Sequence, residues 1–359
     1  MKLTLTHLLI LLFFFGFVVT SSSCDDDKGP GTDLPPIDST VKTLKDITNY
    51  PVGAALSMSK LKNTTIYRNV VKAEFNTITA ENAMKMVNLS PSMSQYKWDD
   101  ADYLMNFAEE NNMRIHGHCL VWHNSVPTWV TNYGGDKEAW KKLLRNYITT
   151  VVGRYKGRIA SWDVVNEALL DNGTPRPTIW LTKIGWEYVS LAFQYAHEAD
   201  PDAVLFYNDY GQEYSKVKLA AINDTVMNLV KRGVPIHGIG LQMHTNINQS
   251  AQNMIDAITA TAQTGLIVHV SELDIALNRD KKPEYQVSPA DLTTQKSRYR
   301  SIAAAMRQLP AAQNWGITTW GVGDSDSWLK SNPDFPLLFD TQYKPKMCYY
   351  GFHEAFGVN

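Results

Sequence analysis

Short apolar runs rich in β-branched residues recur along this chain at intervals of roughly 38 residues, and stretches of helical periodicity separate them. The eight runs are centred near Ala54, Thr79, Gly117, Asp163, Leu205, Ile239, Val268 and Ile317. One strand and one helix fit such an interval, and eight of these units close into a parallel barrel. The sequence therefore predicts an α/β fold, a (β/α)8 TIM barrel that forms a single domain over residues 41–359.

Three of the segments between the runs have the apolar spacing of amphipathic helices: 98–111, 185–200 and 290–306. A doubly wound open sheet is the competing fold, but it usually has a glycine-rich first turn, and the chain has no G-x-G-x-x-G run and no phosphate-binding loop. Cys119 and Cys348 are the only cysteines of the domain, and the sequence leaves their pairing open. No spacing of cysteine and histidine indicates a metal site.

Polar and aromatic side chains follow seven of the predicted strands, at the point where each strand ends. These strand ends carry Glu81-Asn82, His116 to His123, Asn166-Glu167, Asn208 to Tyr210, Gln242 to His244, Glu272 to Asp274, and Trp320. The carboxyl ends of the strands form one face of a parallel barrel, and active sites lie on that face. Buried polar groups are costly unless they contact one another or a ligand, so the sequence predicts one shared pocket.

Two glutamates at these strand ends, Glu167 and Glu272, each follow a buried apolar run. Two carboxyl groups that face each other are the minimal machinery for cleaving a glycosidic bond, one as acid and the other as nucleophile or base. The 10 Trp and 17 Tyr fit either a large aromatic core or platforms on which sugar rings stack. A formal net charge of -2 gives no reason to expect a nucleic-acid partner.

The strand-end motifs resemble those of the glycoside hydrolase family 10 endo-β-1,4-xylanases, and the resemblance covers roughly Leu44 to Gly357. The matching motifs are Phe75-Asn76-x-Ile78-Thr79-x-Glu81-Asn82-x-Met84-Lys85, Gly117-His118-x-Leu120-Val121-Trp122-His123, Trp162-Asp163-Val164-Val165-Asn166-Glu167-Ala168, Tyr207-Asn208-Asp209-Tyr210, Gly240-Leu241-Gln242-x-His244, Ser271-Glu272-Leu273-Asp274 and Thr319-Trp320-Gly321-Val322-x-Asp324. The resemblance implies a (β/α)8 catalytic domain that hydrolyses xylan and xylo-oligosaccharides and needs no metal or organic cofactor.

The resemblance also implies a mechanism that retains the anomeric configuration. In this mechanism Glu272 is the nucleophile and Glu167 is the acid/base, with their carboxyl groups about 5–5.5 Å apart. Glu167 must begin protonated while Glu272 stays ionised. Asn166 is expected to hold the sugar 2-hydroxyl, and His244 and Asp274 are expected to orient the nucleophile.

The remaining residues that match the family are expected to bind substrate. Those on the glycone side are Glu81, Asn82, Lys85, His118, Trp122 and Gln242. Trp320 and Trp328 are expected to form aromatic walls around the sugar next to the cleaved bond. Tyr210 is expected to stack on the leaving-group side, although Gly211 replaces the asparagine that is frequent in the family.

Two alternatives to a xylanase stay open. One is another retaining β-glycanase, such as a cellulase or mannanase, in which both glutamates would be shared. Lys85, Gln242 and the two tryptophans favour xylan over these substrates. The other is a non-catalytic glycan-binding lipoprotein, which the carboxylate pair argues against.

The first residues have the pattern of a bacterial lipoprotein signal peptide over 1–23. Lys2 precedes an apolar run at residues 8–19, which is shorter than the roughly 20 residues that span a bilayer. Small residues and then Cys24 follow, so we predict that Cys24 is lipidated. Ser21 departs from the aliphatic residue usual in such signals, and ordinary cleavage nearby is the alternative.

Residues 24–40 form an acidic segment rich in proline and glycine, which predicts a flexible tether. The acidic residues 25–27 resemble the surface-export signal of lipoproteins of the Bacteroidetes type. We therefore expect a monomer, anchored by lipid in the cell envelope and displayed on the outer membrane surface.

Overall fold

The computed structural model describes residues 42–48, 50–331 and 333–357. The predicted signal peptide, the tether and the lipidation site Cys24 lie outside the described residues. No helix within the described part is long and apolar enough to cross a membrane.

The predicted barrel is confirmed: nine parallel strand segments fill eight positions that pair side by side and close on themselves. Within the described residues the strands are β1 (Val52–Leu56), β2 (Thr77–Ala80), β3 (Arg114–Val121), β4 (Ser161–Asn166), β5 (Val204–Asp209), β6 (Gly238–Leu241), β7 (His244–Asn246), β8 (Ile267–Ala276) and β9 (Asn314–Thr319). Strand β6 pairs with the first half of β8 and β7 with its second half, so the two share one position in the barrel. Strand β9 pairs with β1 and closes the ring. All eight predicted strand centres lie in these barrel strands.

Helices surround the barrel, as the alternating pattern predicts. They are α1 (Leu44–Ile47), α2 (Met58–Asn63), α3 (Thr65–Glu74), α4 (Met86–Leu89), α5 (Asp99–Glu110), α6 (Thr128–Thr131), α7 (Lys137–Arg154), α8 (Ile179–Ile184), α9 (Tyr188–Ala199), α10 (Lys216–Lys231), α11 (Ala251–Ala262), α12 (Pro289–Arg307) and α13 (Met347–Ala355), with 3-10 turns at Ala311–Gln313 and Asp324–Asp326. The helix predicted from residue 185 begins later, at Tyr188. Gly185 instead ends α8 with a positive φ of 89°, a conformation that favours glycine.

The interior of the barrel beneath the site is unusually polar. His116 on β3 contacts Ser161 at 2.7 Å and Asp163 at 3.0 Å, both on β4. Gly117 on β3 leaves space for the Trp162 ring on β4, because a Cβ there would lie 2.3 Å from that ring. Cys119 and Cys348, whose pairing the sequence left open, are both buried and free.

Candidate active site

One cleft of about 620 Å³ opens at the carboxyl ends of the strands and collects nearly all of the predicted site residues. The predicted residues that line it are Glu81, Asn82, Lys85, His118, Trp122, Asn166, Glu167, Tyr210, Gln242, His244, Glu272, Trp320 and Trp328. Asp274 lies below the cleft surface and reaches it through His244. Strand ends on seven parts of the chain therefore converge on a single site.

Glu272 lies on β8 and is almost fully buried, with 4% of its surface exposed. Its Oε1 accepts a hydrogen bond from Asn208 Nδ2 at 2.8 Å, and its Oε2 contacts His244 Nε2 at 3.3 Å. Burial alone would raise the pKa of Glu272, but His118 and His244 outweigh burial and lower it. Glu272 is thus held ionised and in one orientation.

His244 bridges Glu272 and Asp274. Its Nδ1 contacts Asp274 Oδ2 at 2.8 Å, and Trp328 Nε1 donates to the same oxygen at 2.7 Å. Burial would lower the pKa of His244, but the two carboxylates raise it to about 10, so the ring is a cation. Met243, with a φ of 58°, interrupts the strand before His244, and β7 then pairs His244 with Asp274.

Glu167 follows β4 with a φ of 57°, which is rare for a residue with a side chain. Its Oε1 accepts a hydrogen bond from Gln242 Nε2 at 3.1 Å, and its Oε2 lies 3.7 Å from His123 Nδ1. The Gln242 amide also donates to Asn166 Oδ1 at 3.2 Å. Burial lowers the pKa of His123, so the side-chain neighbours of Glu167 are neutral, whereas the charged imidazole of His244 lies against Glu272.

Asn208 joins the two carboxylate environments, and its role was not predicted. Its Nδ2 donates to Asn166 Oδ1 at 2.9 Å as well as to Glu272, and its Oδ1 accepts from Ser271 at 2.6 Å. Both amide ends are thus engaged, and the Asn208 side chain has one orientation. The sequence signal existed, because Asn208 ends the strand next to Asn166, but its partners were not evident.

The predicted glycone-side residues form one wall of the cleft. Lys85 Nζ donates to Asn82 Oδ1 at 3.0 Å and lies 5.0 Å from the centre of the Trp122 ring. Burial raises the pKa of Glu81 despite the opposing effect of Lys85. Trp320 is mostly buried, at 8% exposed, whereas half of Trp328 remains exposed. One indole is therefore fixed in the wall and the other stands at the rim.

His118, Asp163 and Glu272 have ligand atoms within 4.8 Å of one another, the spacing of a metal site. The chemistry of this group does not suit a cation. Burial would lower the pKa of His118, but Cys119, Glu272 and Asp163 raise it well above its usual range, and a protonated imidazole has no lone pair to offer. Asp163, which was not predicted as a site residue, already accepts a hydrogen bond from His118 at 2.9 Å and lies 3.0 Å from His116 Nε2.

The side of the cleft near Tyr210, predicted to hold the leaving group, contains several residues that the sequence did not indicate. They are Asp171, Tyr214, Ser215, Lys218 and Arg279. Lys218 Nζ lies 3.3 Å from the centre of the Tyr210 ring, so it occupies one face of the predicted stacking residue. A lysine in the first turn of a helix is typical of a surface position, so Lys218 carried no signal of burial.

A closed parallel barrel with two glutamates converging on one cleft defines the class of two-carboxylate barrel glycosidases. The family model described as Glycosyl hydrolase family 10 matches residues 41–355. The chain belongs to this family.

Known relatives agree with this placement. Exoglucanase XynX of Acetivibrio thermocellus is 38% identical over 330 residues, which cover 89% of this chain but only 29% of that protein. Beta-1,4-xylanase of Dictyoglomus thermophilum is 38% identical over 323 residues, covering 86% of this chain and 90% of that one. The crystal structure of xylanase 10B from Thermotoga petrophila RKU-1 in complex with xylobiose has a TM-score of 0.82 at 35% identity, and the match covers 88% of this chain and 97% of that one.

Proposed function

We propose that this chain is a retaining endo-β-1,4-xylanase, which hydrolyses internal bonds of xylan through a covalent glycosyl-enzyme. The observation that carries the proposal is the difference between the two carboxyl groups. Glu272 is surrounded by His118, His244 and an amide donor that favour its ionised form. Glu167 instead accepts a hydrogen bond from the amide of Gln242 and lies 3.7 Å from His123, whose pKa burial lowers, so its side-chain neighbours are neutral.

In the first step Glu272 attacks the anomeric carbon, the bond to the leaving oxygen breaks, and Glu167 gives its proton to that oxygen. The product is an ester between the sugar and Glu272. In the second step Glu167 takes a proton from water, whose oxygen attacks the anomeric carbon and releases Glu272 as a carboxylate. Esterification removes the negative charge of Glu272, and Glu167 changes from acid in the first step to base in the second.

The amide of Asn166 is oriented for the predicted contact with the sugar 2-hydroxyl. Its Oδ1 accepts from both Asn208 at 2.9 Å and Gln242 at 3.2 Å. Its Nδ2 donates to Glu167 Oε1 at 3.5 Å, so these donors lie on the side of the acid/base group, where the hydroxyl of a bound sugar would accept. Such a hydrogen bond strengthens as the oxocarbenium-like transition state develops.

Xylan is favoured as the substrate by the names of the relatives and by the two indoles that flank the site. The name of the Acetivibrio relative, an exoglucanase, makes a β-1,4-glucan the second candidate. A glucosyl unit carries a hydroxymethyl group that needs additional room beside Trp320 and Trp328. Lys85 and Gln242, which match residues of the xylanase family, also favour xylan.

Product analysis on three polysaccharides tests this function. The purified protein and a Glu272→Ala variant are incubated with unsubstituted xylan, carboxymethylcellulose and mannan, and reducing ends and oligomer sizes are followed. We expect short xylo-oligosaccharides from xylan alone and none from the variant. Azide should partly restore cleavage by the variant and give the inverted glycosyl azide. Cleavage of cellulose instead would support the glucanase, and binding of xylan without cleavage would indicate a binding protein.

We also propose that Cys24 is lipidated and holds the enzyme, as a monomer, at the outer membrane surface. Support comes from the sequence: an apolar run, small residues, a cysteine and then acidic residues 25–27. A tether at residues 24–40 would separate the barrel from the membrane and leave the cleft open to polysaccharide.

A further inference from the structure

The segment after β4 folds back on itself beside the acid/base glutamate. Leu169 and Pro175 form an antiparallel bridge, and Leu170 N donates to Thr174 O at 2.8 Å. We call residues 168–176 the β4 hairpin. Arg176 is its last residue, and Arg176 N donates to Ala168 O at 2.8 Å. The hairpin thus places Arg176 beside Ala168, the residue that follows Glu167.

The guanidinium of Arg176 donates hydrogen bonds to three oxygen atoms near Glu167. Its Nε donates to Glu167 O at 2.8 Å, and its Nη2 donates to Leu169 O at 3.0 Å and to Tyr210 Oη at 2.9 Å. These three oxygens are two carbonyls and a phenol rather than carboxylates. Arg176 therefore acts as a rigid three-point connection between the main chain of Glu167 and Tyr210.

Tyr210 is itself held from a second direction. Lys218 Nζ lies 3.3 Å from the centre of its ring and contacts Asp209 at 3.1 Å and Asp171 at 3.2 Å. Asp171 belongs to the β4 hairpin, so Lys218 connects Tyr210 to the same segment that contains Arg176. The main chain of Glu167 and the leaving-group side of the cleft are thereby linked into one unit.

Glu167 needs such support because of its backbone. Residues with a side chain rarely adopt a φ of 57°, and such a conformation persists only where surrounding contacts hold it. Its N–H donates to Asn208 O at 2.9 Å, and its C=O accepts from Arg176. Loss of the Arg176 contact would leave the carbonyl side of this strained residue without a side-chain donor. A general acid is effective only when its proton lies within hydrogen-bond reach of the leaving oxygen.

We propose that Arg176 is a positioning residue for the acid/base Glu167, which fixes its left-handed main chain and couples it to Tyr210 on the leaving-group side. The proposal rests on the proposed function. It deepens that function by assigning control of the acid step to a residue that does not itself react.

Leaving-group dependence separates this role from a merely structural one. The full chain is compared with Arg176→Met, Arg176→Lys and Tyr210→Phe on xylan, phenyl xylobioside and 2,4-dinitrophenyl xylobioside. The matched control is Arg145→Met, because Arg145 is an exposed arginine of α7 that pairs with Glu198 at 2.7 Å, outside the cleft. Departure of dinitrophenolate needs no acid, so kcat/KM on that substrate reports the nucleophile alone.

For Arg176→Met we expect kcat/KM to fall about 10- to 100-fold on xylan and phenyl xylobioside, and to change little on the dinitrophenyl substrate. Arg176→Lys should lose less, since an ammonium still reaches one oxygen, and Tyr210→Phe should give a smaller loss in the same direction. Arg145→Met should behave as wild type on all three substrates.

Equal losses on all three substrates, or none on any, would overturn the proposal. A variant with a lower melting temperature that still shows the split between substrates would support it, because instability alone does not distinguish leaving groups. If the wild-type protein cleaved none of the three, the proposed function would fail and this proposal with it. A wild type that cleaves all three while the variants show no split would contradict Arg176 alone.

Discussion

Glu272 and Glu167 are the same amino acid in two electrostatic environments. Glu272 is buried, yet its pKa is lowered, because imidazole groups on β3 and β7 lie close to it. A buried carboxylate without such partners would favour its protonated form. The carboxyl group of Glu167 instead accepts a hydrogen bond from the Gln242 amide, and its main-chain carbonyl accepts one from Arg176. The residue types predicted two roles, and these neighbours support the proposed division of the roles.

Replacement of His244 by asparagine should change the pH dependence of the first step. Loss of the imidazolium removes a positive charge beside Glu272, so the pKa of Glu272 rises from its lowered position. Since the nucleophile must be ionised, activity is lost on the acidic side, and the acidic limb of kcat/KM should move to higher pH. His197→Asn, in α9 and outside the cleft, is the control. An unmoved acidic limb would mean that His244 does not hold the charge of Glu272.

Strand register explains how the elements bring the amides together. Asn208 on β5 lies opposite Gly240 on β6, and the absence of a side chain at Gly240 leaves the space that the Asn208 side chain fills. A Cβ at position 240 would lie 2.2 Å from Asn208 Oδ1. Gly240 thus belongs to the site although it contacts neither carboxylate.

Gly240→Ala should therefore lower both stability and activity. The new methyl group displaces Asn208 from Glu272 and Asn166, and overpacking of this kind costs about 1–3 kcal/mol. We expect a lower melting temperature and a reduced kcat on xylan. Gly153→Ala is the matched control, because a Cβ built there in α7 meets nothing within 4 Å beyond its own helix backbone, and alanine is the better helix former. Normal kcat in the Gly240 variant would show that Asn208 is dispensable for the nucleophile.

Prediction of the elements succeeded where periodicity was strong. The centres of the eight strands and the helices at 99–110 and 289–307 follow from apolar spacing, which local sequence carries. The start of α9 and the break between β6 and β7 did not follow, because they depend on positive φ at Gly185 and Met243. Glycine permits such a conformation, but for methionine only the surrounding packing imposes it.

At the scale of the whole molecule, the proposed anchor determines where the barrel works. Cys24→Ala in the full-length protein should release activity from the membrane fraction into the soluble fraction, since the lipid would no longer be attached. The measurement is xylanase activity in fractionated cells, and Cys348→Ala, at a free buried cysteine of the barrel, controls for loss of any thiol. Activity that stays with the membrane in the Cys24 variant would assign the attachment to another part of the chain.

The sequence by itself determined the barrel, the face that carries the site, and the two glutamates with most of their neighbours. Strand periodicity and the residue at each strand end are local properties, and parallel strands present their carboxyl ends on one face. Only the tertiary structure decided the partners of each polar group. Asn208, Arg176 and Lys218 act through contacts between segments that are distant along the chain, and Lys218 is buried where its helix position predicts exposure. Hydrogen bonds and charge pairs depend on distances between elements, which no pattern along the chain contains.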